Sequence, residues 1–322
     1  MSRRPVTVLK ELKSHLPRGG RLLLAVSGGL DSVALLHGCL ALQQKLGLVL
    51  EVAHVDHRLR NESARDATFV RRLAKQYGLP FHLKKADSRP GHGENLEAWA
   101  RKLRYDFFAA CLKRYKLDWV LTAHHADDLA ETLLMRLVSN KELATIAETD
   151  EKRHLLRPLL GVTREALGQY AAEAELEFVL DQTNSDTTFL RNRVRHELIP
   201  LLRQRFDPRI VETLAERARA LASDISLACD LCDPGLERLG SHTFGSRAWL
   251  RSLNKELTEL PEALKWRFLD SLFKSKLGFS MGRRHALRLL NFLENEREGI
   301  ELSSGVRLRR KAGGLHLQIQ AK

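Results

Sequence analysis

The segment Ser27-Gly28-Gly29-Leu30-Asp31-Ser32 puts two glycines, two hydroxyls and a carboxylate between an apolar run, Leu22–Val26, and an amphipathic helical pattern. Glycine tolerates positive φ, so Gly28 and Gly29 are expected to reverse the chain with their N–H groups uncovered. Those N–H groups, the Ser27 and Ser32 hydroxyls and the start of the next helix make an anion-binding nest. Neither a Walker Lys-Ser/Thr pair nor G-x-G-x-x-G is present. Asp31 would repel a bare phosphate, and a divalent cation between them removes the conflict, which makes Asp31 the natural ligand of Mg²⁺. By itself the segment also fits an ordinary strand-to-helix turn capped by Ser and Asp.

Three further groupings could share that chemistry. His54 and Asp56 close a second apolar run, within reach of a nucleoside held at the first turn. In His124-His125-Ala126-Asp127-Asp128-Leu129-Ala130-Glu131, Asp128 and Glu131 stand three apart and share a helix face. Adjacent acids repel unless a cation lies between them, and an amino acid with two ammonium groups meets that need. A surface helix with solvated acids is the other reading. Arg191 and Arg195, four apart, suit phosphate or base contacts, or simply form a solvated basic face.

Together these segments resemble a known family. Ser27 to Ser32 is similar to the loop of the N-type ATP pyrophosphatases, which cleave ATP between its α and β phosphates. His54-Val55-Asp56-His57-Arg58-Leu59-Arg60 with Ser63 and Asp66, Asn95 to Ala98 with Arg101 to Tyr105, Thr122 to Thr132, Arg157 to Leu160 and Asp181 to His196 narrow the likeness to the tRNA(Ile)-lysidine synthetases. The matches run in family order from about Leu22 to Leu202.

The resemblance implies an ATP-dependent ligase that adenylates the C2 oxygen of the first anticodon cytidine of a CAU-bearing isoleucine tRNA, then joins L-lysine to that carbon. It implies ATP bound by Ser27, Gly28, Gly29, Leu30, Asp31, Ser32, His54 and Asp56. Lysine is assigned to Arg104, Asp128 and Glu131, with Asp31, Arg104 and His124 in the catalytic set and tRNA at Arg191 and Arg195. Val138 to Ala147 departs from the family, which carries a glycine- and arginine-bearing mobile loop there; this segment has neither residue type. The chain resembles the short form, without the large extra C-terminal domain of some members. A PP-loop tRNA thiolase and a degenerate tRNA-binding paralogue are the alternatives. Oligomeric state stays open, with a homodimer one option.

The elements that must position these residues follow an α/β alternation. Apolar segments at Leu22–Ser27, Leu48–Val55, Phe81–Lys84 and Trp119–Ala123 alternate with helical patterns at Ser32–Leu46, Arg65–Tyr77 and Asn95–Tyr115. This predicts a parallel sheet with ligands at the carboxyl ends of its strands. Leu155–Leu160 and Phe178–Gln182 would extend it, with Arg164–Glu175 as the helix between them. The first domain is expected over 1–207 and a smaller helical domain over 208–322, with helices at Ile210–Cys232 and Leu260–Lys276. A terminal hairpin turns at Gly313-Gly314 and carries Arg307, Arg309, Arg310 and Lys311 for tRNA phosphates.

Composition agrees. The chain has 322 residues, 43% hydrophobic and 29% charged, as a folded globular protein has. Its net charge of +13 favours a polyanionic partner. No run nears the roughly 18 apolar residues of a membrane span, and no secretory signal opens the chain, so a cytoplasmic protein is expected. Four cysteines make no disulfide scaffold, and Cys229 and Cys232 read as a chance helical pair.

Overall fold

The computed structural model describes residues 8–59, 63–91, 95–139, 143, 145–179, 190–277, 281–295, 298–302, 306–311 and 314–319. Two compact units result, Met1–Ala220 and Leu221–Lys322. The division falls inside a long helix instead of at Pro208, where the composition changes.

The first unit runs α1 (Val8–His15), β1 (Arg21–Ala25), α2 (Leu30–Leu46), β2 (Val49–Asp56), α3 (Ser63–Gln76), β3 (Phe81–Lys85), α4 (Leu96–Tyr115), β4 (Trp119–Leu121) and α5 (Ala126–Leu137). It continues through β5 (Thr149–Asp150), a 3-10 turn at Glu151–Arg153, β6 (Leu155–Leu156), α6 (Arg164–Glu173), α7 (Leu190–Arg193), a π-helical turn at Val194–Leu198 and α8 (Ile199–Arg205). The sheet order is β3-β2-β1-β4-β6-β5, parallel throughout except for β5 against β6.

The expected strands and helices are present with ends shifted by a few residues. Leu155–Leu160 is shorter than expected: only Leu155 and Leu156 pair as strand, and Leu159 joins the sheet by a single bridge to His125. Phe178 and Val179 form no strand, and Leu180 to Gln182 lie outside the described residues.

Strand alternation explains why the sheet is buried on both sides. Leu22 and Leu24 point into one core with residues of α1, α2, α3 and α6, while Leu23 points into the other with Ala53, Val120, Leu155 and the α4 residues Phe108 and Cys111. Strand β1 has β2 on one side and β4 on the other, so the order reverses there. A crevice opens outside the carboxyl ends at such a reversal, where Ser27, Asp56 and His124 follow or close β1, β2 and β4.

The second unit begins within α9 (Ile210–Gly240) and adds α10 (Arg247–Glu259), α11 (Glu262–Leu277), α12 (Gly282–Glu294) and the antiparallel strands β7 (Gly299–Glu301), β8 (Val306–Lys311) and β9 (Gly314–Ile319). Sequence reading missed α10 and α12 and took β7–β9 as one hairpin. It also ended the first helix at Cys232, before Pro234. Proline removes one backbone hydrogen bond, but Cys232, Leu236 and Leu239 pack into the unit's core with Trp249, Phe268 and Phe273 and carry the helix past it.

Candidate active site

The turn after β1 is built by two serines. The Ser27 and Gly28 N–H groups each donate to Ser32 Oγ at 3.2 Å, Ser32 Oγ donates to the Gly29 carbonyl at 2.9 Å, and the Gly29 N–H reaches Ser27 Oγ at 3.4 Å. This corrects the expectation of uncovered N–H groups: the short hydroxyls satisfy them locally, so an anion must displace those bonds to use them. Only Gly28 takes positive φ, at 98°, whereas Gly29 is extended (φ −75°) and caps α2. Asp31 stands in the first turn of α2, where the helix dipole favours its charge. Its Oδ1 is buried without a hydrogen-bond partner.

At the end of β2, His54 Nδ1 bonds the Val26 carbonyl at 2.8 Å, which ties the second strand end to the first. Burial lowers its pKa against the pull of that carbonyl and of Asp56. The Asp56 carboxylate accepts the N–H of Arg58 at 2.9 Å.

The third strand end brings the two histidines. His124 Nδ1 lies 2.8 Å from Thr122 Oγ1, and burial pushes its pKa down to about 4. His125 behaves in the opposite way. Burial opposes its charge, yet Asp128, Asp127 and Asp31 around the ring outweigh that and lift the pKa to about 10. Its Nε2 stands 3.5 Å from Asp31 and 3.6 Å from Asp128, and its Nδ1 3.5 Å from Asp127. This buried imidazolium joins the acid of the first turn to the acid of α5. No role was read for it from the sequence, because neighbouring histidines give no sign of which one faces inward.

Asp128 and Glu131 share a face of α5 as their spacing requires, and the cation between them belongs to the chain itself. Arg191 bonds Asp128 at 2.6 Å and Glu131 at 2.8 Å, while Arg195 grips Glu131 at 2.6 and 3.0 Å. Burial works to raise the Asp128 pKa, but His125 and Arg191 outweigh it and hold it below the ordinary carboxylate value. Two expectations change. The acids do not wait for a ligand to neutralise them, and the two guanidiniums, read as phosphate or base contacts, are engaged with carboxylates. Glu131 has a side chain only 1% exposed and lies behind the arginines.

These strand ends meet at a cavity of about 600 Å³, the size of a nucleotide or drug-sized ligand site. Ser27, Gly29, Asp31, Ser32, His54, Asp56, Arg104, His124, Asp128, Arg191 and Arg195 all line it; Gly28, Leu30 and Glu131 do not, although Glu131 holds the lining Arg191 and Arg195. Glu97, Arg101 and Arg104 reach it together from α4. Their helical spacing was the available signal for the first two. No cysteine lines the cavity; Cys39, Cys111 and Cys232 are buried elsewhere and all four thiols are free.

Among the described residues no group of three or more His, Cys, Asp or Glu is placed to hold a metal. Asp31 with its unsatisfied oxygen fits the other arrangement, a Mg²⁺ held by one carboxylate and by substrate phosphates.

The hairpin arginines belong to the second unit. Arg307 and Arg309 are exposed on β8, with Arg307 3.4 Å from Glu301. Arg310 is used internally: its guanidinium donates to the carbonyls of Phe292, Leu293 and Asn295 at 3.1, 2.9 and 3.4 Å, closing the end of α12. Strand alternation turns Arg310 inward beside the exposed Arg309, so it is not available to phosphates as expected. Lys311 ends β8.

Comparison with known proteins shows the family of the chain. Residues 4–202 match the PP-loop domain family. The chain is 40% identical over 224 residues to the tRNA(Ile)-lysidine synthase of Gloeobacter violaceus, covering 68% of each chain. It is 35% identical over 321 residues to that of Thermosynechococcus vestitus, covering 97% of this chain and 88% of the other. Among solved structures, the U34-tRNA thiolase NcsA from Methanococcus maripaludis shares the fold with a TM-score of 0.56 at 15% identity, over 67% of this chain and 78% of that one. By the match over residues 4–202 and by identities of 40% and 35% to two such synthases over 68% and 97% of its length, the chain belongs to the tRNA(Ile)-lysidine synthase family of PP-loop proteins.

Proposed function

We propose that this protein joins L-lysine to C2 of the first anticodon cytidine of isoleucine tRNA bearing CAU, at the expense of ATP. The observation that carries the reading is the convergence of the Ser27–Ser32 turn, His54 with Asp56, and His124 with Asp128 on one cavity of about 600 Å³. In the first step the C2 oxygen of the cytosine attacks the α phosphorus of ATP and pyrophosphate leaves. In the second the lysine ε-amine attacks C2, AMP leaves with the oxygen, and the amine gives up its protons.

The chain's part is positioning and charge stabilisation, the main levers in phosphoryl chemistry. The turn and the helix start hold the phosphates, once these replace the serine bonds. Asp31 would ligate Mg²⁺, which neutralises phosphate charge when bound. A buried imidazole with a pKa near 4 is neutral at pH 7 and a weak base, so His124 serves as a hydrogen-bonding wall beside the nucleotide and not as a proton store. Lysine is recognised by Asp128 and Arg104; its ammonium shares Asp128 with Arg191, and Glu131 fixes the arginines from behind. A basic chain of +13 suits a tRNA partner, and the work belongs in the cytoplasm. No described helix is long and apolar enough to cross a membrane.

Thiolation on the same fold is disfavoured because no cysteine lines the cavity. Incubation with ATP, Mg²⁺, labelled lysine and CAU-anticodon tRNA transcripts tests the proposal. Label should enter the tRNA with stoichiometric release of AMP and pyrophosphate. Adenylation without lysine transfer, or transfer to other anticodons alone, would overturn it.

A further inference from the structure

A second cavity, of about 490 Å³, lies beside α4 in the first unit. Phe108 is the one residue that lines both it and the reaction cavity. Its floor is the apolar sheet face of Val120 and Leu155 with Leu112 of α4, and its rim is basic, carrying Lys113, Lys152 and Arg153. Tyr105 forms one wall, with the Arg153 guanidinium 5.3 Å from its ring centroid. The rim acid Asp106 is taken up by Lys102 at 2.7 Å, and Arg153 by Asp150 at 2.7 Å. Lys113 and Lys152 have no carboxylate partner among the described residues.

We propose that this cavity takes the base of one nucleotide of the RNA substrate, outside the reacting cytidine, with the adjoining phosphates on Lys113 and Lys152. It rests on the reading of this chain as a tRNA-modifying enzyme. The chemistry on the page selects that occupant. An apolar floor edged by a tyrosine ring and a guanidinium plane is the surface on which unstacked bases lie, and flanking lysines follow the backbone. A second copy of the chain would bring its own excess positive charge to a rim that is already basic. A free nucleotide would offer phosphate on one side only, whereas an internal nucleotide of a strand offers it on both.

Two variants separate the parts of the site. Ala109→Trp, at an exposed position on the cavity wall, fills the space with little risk to folding. Lys113→Gln with Lys152→Gln removes the phosphate contacts. Binding of CAU-anticodon tRNA would be measured against salt, with ATP binding and the far-UV spectrum as controls on folding. Ala109→Trp should weaken tRNA binding about 5- to 150-fold, the worth of one base stacked on an aromatic side chain, with the salt slope kept. The double lysine variant should lower the slope of log K against log salt by about 1–2. Wild-type affinity and slope in both variants, while the unaltered protein binds and modifies tRNA, would overturn this site alone. If the unaltered protein binds no tRNA, the underlying reading falls with it. A change in sedimentation of Ala109→Trp with tRNA binding untouched would make the cavity a protein contact and overturn the proposal. Saturable binding of free AMP there, with tRNA binding untouched, would do the same.

Discussion

Glu131 offers the sharpest test of how the acid–arginine cluster is held. Its buried carboxylate accepts Arg195 at 2.6 and 3.0 Å and Arg191 at 2.8 Å. Glu131→Gln keeps the volume and one acceptor but turns an N–H₂ toward a guanidinium that can only donate. Breaking a buried pair costs about 3–5 kcal/mol. Here the Arg191 and Arg195 side chains are 38% and 20% exposed and can turn partly to water, so a smaller loss, about 2–3 kcal/mol, is expected. Arg195→Met should cost less, about 1–2 kcal/mol, because Arg191 still neutralises the carboxylate. In the double variant the two costs should not add, and a coupling of about 1–2 kcal/mol should appear. Hydrogen exchange of amides in α5 and β1 reads opening of the first unit. A coupling below about 0.5 kcal/mol, the scatter of independent sites, would refute the claim that Glu131 anchors these arginines.

Asp31→Asn should lower pyrophosphate release by about 10²–10³-fold with the fold intact, measured by a coupled pyrophosphate assay, because charge is lost while volume is kept; near-normal turnover removes Asp31 from the reaction. Nitrogen-15 NMR of the histidines should find His124 neutral until the pH falls to about 4 and His125 charged until it rises to about 10. The linkage runs in opposite directions. The depressed His124 costs stability as pH drops from the unfolded value near 6.5 toward 4, and the stabilisation from His125 is full below about 6.5 and fades as pH climbs toward 10. Arg310→Met should destabilise the second unit by about 1–3 kcal/mol by stripping carbonyls at the end of α12. Arg307→Gln with Arg309→Gln should leave stability within about 0.5 kcal/mol, and any effect should appear in the salt slope of tRNA binding.

Much of the first unit was legible because its signals are local. The alternation of apolar runs with helical spacing decides a parallel sheet, and a Gly-rich turn at a strand end decides where an anion can lie. The alternation therefore places the strand ends carrying Ser27, His54 and His124 on one edge by itself. Spacing of three along a helix likewise put Asp128 beside Glu131. What spacing could not state is which cation those acids hold. Arg191 and Arg195 are more than fifty residues away in sequence, and only the docking of α7 and the π-helical turn onto α5 brings them to 2.6 Å. The same limit hid His125, whose charge depends on three carboxylates from α2 and α5 around one buried ring. Arg310 shows the reverse case. Its composition reads as a basic cluster, but alternation along β8 and the end of α12 decide that it faces inward. Residue type and local period thus determined the elements and the chemistry on offer. Long-range packing decided which charges meet, because the Coulomb energy of a buried pair depends on distance and dielectric, and neither is written in the order of the residues.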